Sequence, residues 1–98
     1  MNPEMQQQLE SQTFQRLIKH LQDHNEVQNI DLMILADFCR NCLAKWYLAA
    51  AETQGVDMDY DRAREKIYGM PYPQWKEKFQ AKATPEQMAA FEARNQKK

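Results

Sequence analysis

The chain has 98 residues, 43% of them hydrophobic, and a formal net charge of −1. This length suffices for one domain with one core, which we place over residues 1–98. The near-neutral charge argues against nucleic acid as a partner, because such a partner needs a basic surface. Two glycines and four prolines are too few for the many turns of an all-β domain. We therefore expect an all-α fold, a compact single-domain bundle of four to five helices.

The sequence lacks signals for export or membrane insertion. Residues 1–6 have neither the basic start nor the apolar core of a signal peptide. No segment approaches the ~18 consecutive apolar residues of a membrane helix. We expect a cytoplasmic protein with no membrane partner, in which the two cysteines are reduced thiols rather than a structural disulfide.

The first predicted helix covers about residues 4–24. Apolar side chains recur in it at helical spacing, and these are Leu9, Phe14, Leu17, Ile18 and Leu21. Asp23 and the polar residues after it end the helix, because short polar side chains compete for backbone hydrogen bonds. Residues 1–3 and, at the other end of the chain, residues 94–98 are expected to fray.

The second predicted helix, over about residues 31–54, is the central one. Asn29 or Asp31 can cap its start, and Gly55 can end it in left-handed geometry. One face forms an apolar stripe of Leu32, Leu35, Ala36, Cys39, Cys42, Leu43, Trp46 and Ala50. The opposite face is also partly apolar, which is typical of a helix at the centre of a bundle or of one that contacts a second partner.

Shorter helices are predicted in the remainder of the chain. One covers about residues 59–68, with Asp57 or Asp59 as the cap and Gly69 at its end. After a proline-rich corner, another covers residues 73–82. The last begins with Thr84-Pro85-Glu86-Gln87, which has the pattern of a capping box.

The C-x-x-C pair Cys39 and Cys42 is the first candidate site. On one long helix both sulfurs face the core stripe about two turns from the N-terminus, where the helix dipole gives little help to a thiolate. Buried structural thiols are therefore the favoured interpretation. Redox or regulatory thiols are one alternative. A metal site is the other, for which His20 and His24 would have to supply the two further ligands.

Other polar and aromatic residues form a second group of candidates. Arg40 and Asn41 are predicted to point away from the core, either to bind an anion or partner or, as the favoured interpretation, to pair with Asp37. Tyr68, Tyr72, Trp75 and Phe79 form an aromatic corner, interpreted as core in preference to a ligand-binding or peptide-binding patch. The candidate ligand-binding or partner-binding residues are Arg40, Asn41, Trp46, Tyr47, Tyr72 and Trp75.

Two segments together resemble a known family. The first is Phe38-Cys39-Arg40-Asn41-Cys42-Leu43 with Lys45-Trp46-Tyr47, and the second is Ala63-Arg64-Glu65 with Tyr68-Gly69-Met70-Pro71-Tyr72 and Trp75-Lys76. In these motifs the chain resembles short bacterial proteins grouped as domain of unknown function 1244, over about residues 10–92. The resemblance implies a compact all-α fold of bacterial origin and supplies no activity, cofactor or catalytic residue.

The sequence favours a non-enzymatic protein. It contains neither a Gly-rich phosphate loop nor a nucleophile elbow, and no catalytic residue or cofactor is predicted. The leading hypothesis is an interaction or regulatory protein that self-associates as a homodimer through the spare apolar positions Ile34, Ala44 and Leu48. A thiol-based metal-binding or redox-responsive protein is the second hypothesis. The third is a small anionic ligand bound between Arg40 and the aromatic corner.

Overall fold

The computed structural model describes residues 1–96, and these contain six helices and no β-strand. The helices are α1 (Pro3–Gln22), α2 (Asn29–Ala36), α3 (Arg40–Thr53), α4 (Tyr60–Tyr68), α5 (Tyr72–Phe79) and α6 (Pro85–Gln96). The all-α class is confirmed, whereas the expected number of four to five helices is too low for this part of the chain. Of the residues expected to fray, 97 and 98 lie outside the described residues. No helix within residues 1–96 combines the length and apolar character needed to cross a membrane.

The single helix predicted over residues 31–54 is wrong, because two helices occupy this segment. α2 ends at Ala36, where Asp37 adopts a left-handed conformation with φ 60° and ψ 33°. The chain is extended at Cys39, and α3 begins at Arg40. Aspartate enters the left-handed region more readily than most residues. Apolar periodicity does not reveal the break, because α2 and α3 both bury apolar side chains in one core.

Other helix boundaries follow their predicted signals. Asp59 caps α4, since its Oδ1 accepts a hydrogen bond of 2.8 Å from the backbone N–H three residues later. Gly55 and Gly69 adopt left-handed conformations after α3 and α4, with φ 72° and 77°. The capping box of α6 is confirmed: Thr84 Oγ1 accepts from the Gln87 N–H (3.1 Å), and Gln87 Oε1 accepts from the Thr84 N–H (2.8 Å).

The core is centred on the packing of α3 against α4. Each helix contributes an alanine with no exposed surface, Ala44 and Ala63, and such small side chains allow the helices to approach closely. The other core residues are Ile18, Leu21, Leu32, Cys39, Leu43, Ile67, Tyr68 and Trp75. Four members of the predicted apolar stripe are exposed instead: Leu35 (77%), Ala36, Trp46 (59%) and Ala50. Because the helix is broken after Ala36, the stripe positions of α2 and α3 do not follow one helical periodicity.

Candidate functional site

The two cysteines lie together at the start of α3. Cys39 is the N-cap residue, with φ −148° and ψ −176°, and Cys42 lies in the first turn. Their sulfur atoms are 4.0 Å apart, and both are free thiols. Cys39 is 8% exposed, whereas Cys42 is half-buried. The prediction that Cys39 lies two turns inside a helix is therefore wrong, and the helix N-terminus does act on this pair.

Two opposing effects act on the Cys39 thiol. Burial raises its pKa, because a thiolate in the core loses its hydration. The backbone N–H groups of Cys42 and Asn41, in the first turn of α3, lower this pKa because they favour negative charge on the sulfur. Burial is the larger effect, so the resting group is the neutral thiol. The same N–H groups can nevertheless stabilise a thiolate that forms during a reaction.

Arg40 is directed into the core, so the prediction that it points outward is wrong. Its side chain is 1% exposed, and its guanidinium lies 5.0 Å from the centre of the Trp75 ring. It donates hydrogen bonds to the carbonyl oxygens of Val27 (2.7 Å) and His24 (3.0 Å) and to Oδ1 of Asn29 (3.1 Å). Burial lowers the pKa of Arg40, although a guanidinium stays charged at physiological pH. Arg40 thus ties the segment before α2 to α3 and presents no group to a ligand.

Asn41 belongs to a chain of hydrogen bonds that starts from Arg40. Asn29 Oδ1 accepts from Arg40, and Asn29 Nδ2 donates to the Tyr68 hydroxyl at 3.0 Å. The Tyr68 hydroxyl in turn donates to Asn41 Oδ1 at 2.7 Å. Burial raises the pKa of Tyr68, so the hydroxyl retains the proton that it donates. The orientation of the Asn41 amide is therefore fixed from inside the protein.

The aromatic corner is divided between core and surface. Trp75 has no exposed surface, and its indole N–H donates to Asn25 Oδ1 at 2.9 Å. Tyr68 packs edge-on against it, with ring centres 4.9 Å apart. Tyr72 is half-buried, and its hydroxyl donates to Gln80 Oε1 at 3.0 Å. Trp75 is therefore part of the core, whereas Tyr72 reaches the surface.

The other two aromatic candidates, Trp46 and Tyr47 on α3, do not belong to the aromatic corner. Trp46 is largely exposed and stacks on Phe38, with ring centres 6.4 Å apart. Tyr47 is half-buried and stacks on Phe14 of α1 at 6.5 Å. The structure therefore does not gather the predicted candidates into one site, and the ones near the thiols are Asn41 and the Phe38–Trp46 pair.

The predicted metal site and the predicted homodimer surface each required a group of residues that the structure does not bring together. Among residues 1–96 no three His, Cys, Asp or Glu side chains are grouped to hold a metal ion. The combination of Cys39 and Cys42 with His20 and His24 is therefore wrong as a metal site. Of the apolar positions invoked for a homodimer, Ala44 is fully buried inside the chain. The other two positions, Ile34 and Leu48, are half-buried, and self-association stays a prediction.

Sequence reasoning missed the role of Gln28. Its Nε2 donates to the carbonyl oxygen of Phe79 (2.9 Å), and its Oε1 accepts from the Ala81 N–H (2.9 Å). These bonds hold the segment between α5 and α6 against the start of α2. A cleft of about 320 Å³, which we call the Asn41 cleft, is enclosed there, and Asn41 and Lys82 are among its lining residues. The partners of Gln28 are 51 and 53 positions away, so local sequence patterns carry no signal for it.

Comparison with protein families gives one match. The model of a family described as "Protein of unknown function (DUF1244)" matches residues 27–93, which include both motif segments and the segment from α2 to α5. The resemblance inferred from the motifs is thereby confirmed. A search of curated proteins finds no match.

Proposed function

This chain belongs to the DUF1244 family of proteins of unknown function, and we propose that it is a non-enzymatic, redox-responsive protein whose switch is a reversible Cys39–Cys42 disulfide. The observation that supports this proposal best is the separation of 4.0 Å between the two sulfurs at the start of α3. The bond itself is ~2.05 Å long, so the sulfurs must approach by about 2 Å. Because Cys39 precedes the helix with an extended backbone, a side-chain rotation can supply that approach without unwinding α3.

The two thiols have different roles in this proposal. Cys42 reacts first because it is the more accessible of the pair, and Cys39 is the resolving thiol. The Cys42 thiolate attacks one sulfur of a low-molecular-weight disulfide, which forms a mixed disulfide and releases one thiolate. Cys39 then loses its proton to solvent, and its thiolate attacks the Cys42 sulfur and releases the second thiolate. Both released thiolates take up protons, so two electrons pass from the protein to the reagent.

The compartment is part of the proposal. In a bacterial cytoplasm the glutathione and thioredoxin systems keep such a pair reduced, and oxidant stress converts it to the disulfide. The change lies next to the Phe38–Trp46 pair, because Phe38 directly precedes Cys39 and Trp46 follows Cys42 by one helical turn. We expect disulfide formation to change the environment of Trp46.

A redox titration tests the proposal. The protein is equilibrated in glutathione buffers of increasing oxidised fraction, the free thiols are alkylated, and the products are weighed by mass spectrometry. We expect a monomeric product that has lost two hydrogens, with a midpoint between about −270 and −180 mV. Trp46 fluorescence should follow the same transition, and this signal should be absent from a Trp46→Phe variant that still forms the disulfide.

Single-cysteine variants supply the control. Cys39→Ser should stop at the mixed disulfide on Cys42, whereas Cys42→Ser should react slowly because Cys39 is buried and burial raises its pKa. The proposal is contradicted if the wild-type thiols stay reduced at about −150 mV, or if oxidation yields only disulfide-linked dimers.

A further inference from the structure

We propose that the Asn41 cleft binds a small monocarboxylate. The cleft has a volume of about 320 Å³ and lies between the start of α2, the first turn of α3 and the segment that connects α5 to α6. This size matches the lower end of small-molecule sites. The inference is independent of the thiol proposal, because neither cysteine lines the cleft.

The amide of Asn41 supplies a directed hydrogen-bond donor. Its Oδ1 accepts a hydrogen bond from the Tyr68 hydroxyl, so the amide nitrogen Nδ2 points away from Tyr68. Within residues 1–96 Asn41 Nδ2 donates no hydrogen bond, and this atom is not buried. Because Asn29 and Tyr68 hold the amide in place, a ligand does not have to order it on binding.

The charge at the cleft favours an anion. Lys82 is the only charged residue among those that line it. α2 begins at the same cleft with Asn29 and Ile30, and the N-terminus of a helix carries partial positive charge. The nearest acidic residue on α2, Asp31, does not line the cleft, and its carboxylate accepts from the Gln28 N–H (3.2 Å) and from Gln87 Nε2 (2.8 Å).

The lining of the cleft is partly polar and partly apolar, which fits one carboxylate on a hydrocarbon body. Ile30, Ala81, Ala83 and the Tyr72 ring provide the apolar part, whereas a second carboxylate would meet no second cation. Asn41 Nδ2 and Lys82 Nζ are donors, so they pair with carboxylate oxygens and not with an ammonium group.

Benzoate is a suitable probe, and benzamide is its neutral isostere. Both are titrated into the ¹⁵N-labelled full-length chain and followed by amide chemical shifts. We expect benzoate to shift the Ile30, Asn41 and Ala81 resonances with a dissociation constant on the order of 1 mM, as a ligand of this size allows. Benzamide should bind at least about fivefold more weakly, because it lacks the charge that Lys82 recognises.

Three variants decide between the cleft and general attraction to lysines. Asn41→Asp keeps an acceptor for Tyr68 but places a negative charge in the cleft, so benzoate binding should be lost. Lys82→Gln, on the surface, should weaken binding about three- to tenfold without unfolding the protein. Lys78→Gln removes an exposed lysine of α5 that does not line the cleft, and binding should be unchanged. Equal affinity for benzamide, equal losses in the two lysine variants, or shifts that map outside the cleft would overturn the proposal.

Discussion

At the junction between α2 and α3 the chain turns through Asp37 in a left-handed conformation, whereas at the corner between α4 and α5 it turns through Gly69. The corner continues with Pro71, which has no N–H and serves as the N-cap of α5. The junction continues with Cys39, the N-cap residue of α3, whose sulfur lies 4.0 Å from that of Cys42 and makes no capping hydrogen bond. The same geometric task is therefore met at the corner without a thiol, whereas at the junction it places two thiols at the start of a helix.

The side chains of the corner and those of the junction also differ, in how completely they are buried. At the corner Tyr68 and Trp75 are fully buried and both are hydrogen-bonded inside the protein. At the junction Arg40 is equally buried, but its neighbours Asn41 and Cys42 keep part of their surface exposed. Packing and internal hydrogen bonds account for Tyr68 and Trp75, whereas the junction holds a thiol and an amide that the fold does not use fully. Chemical function is therefore better sought at the junction.

Among the tests of this comparison, Arg40→Ala is expected to have the largest effect on stability. The change leaves a cavity against Trp75 and removes the donor from three oxygens of the segment before and within α2. We expect the free energy of unfolding to fall by roughly 3–5 kcal/mol, measured by urea denaturation followed by circular dichroism.

Arg62→Ala is the matched control, because Arg62 also donates through its side chain, to Asp59 Oδ2 and to the Asp57 carbonyl, but is half exposed. Its loss should cost less than about 1 kcal/mol. A similarly small loss of stability in both variants would show that the buried hydrogen bonds of Arg40 do not stabilise the junction.

The next effect is expected at the corner, for Gly69→Ala. Two costs combine there: an alanine in the left-handed region, and a Cβ that would lie 2.9 Å from Cδ of Gln22. We expect a loss of about 2 kcal/mol in the free energy of unfolding. Gly55→Ala has the same backbone conformation with open space around it, so it should lose only about 1 kcal/mol. Equal losses in the two variants would mean that Gln22 moves aside freely and that the corner is less tightly packed than its burial indicates.

The all-α class and most helix ends could be predicted from the sequence because they depend on local chemistry. The caps at Asp59 and Thr84 and the glycines after α3 and α4 act on neighbouring residues only. The break at Asp37 was not accessible, because a single aspartate in left-handed geometry leaves the apolar spacing on both sides intact. This one break then moved Cys39 from the helix interior to the N-cap.

The site was predictable in its residue types but not in their directions. The thiol pair was identified from its spacing, whereas Arg40 was assigned to the surface and lies in the core. Its direction depends on the carbonyl oxygens of His24 and Val27, which lie in the segment between α1 and α2, 16 and 13 positions before Arg40. The Asn41 cleft likewise depends on Gln28 and a segment about fifty positions away. Periodicity describes faces of one helix and carries no information on such contacts.

The smallest expected effect concerns the hydroxyl that links the two regions, since Tyr68 belongs to the corner and donates to Asn41 of the junction. Burial raises its pKa in the folded state, while tyrosine in the unfolded chain titrates near ~10. Above about pH 10 the unfolded state therefore loses a proton that the folded state keeps, so the free energy of unfolding falls as pH rises, by up to ~1.4 kcal/mol per pH unit.

Tyr68→Phe removes this dependence. The variant should be less stable than the wild type by a constant amount below about pH 9, because the hydrogen bonds to Asn29 and Asn41 are lost at every pH in that range. Between about pH 10 and 11.5 the difference should narrow, since only the wild type carries the additional alkaline loss. Urea denaturation of the wild type and of Tyr68→Phe, from below about pH 9 to about pH 11.5, measures this difference in stability. Parallel curves for the two proteins would show that the hydroxyl is hydrated in the folded state, and the fixed orientation of Asn41 would then lose its support.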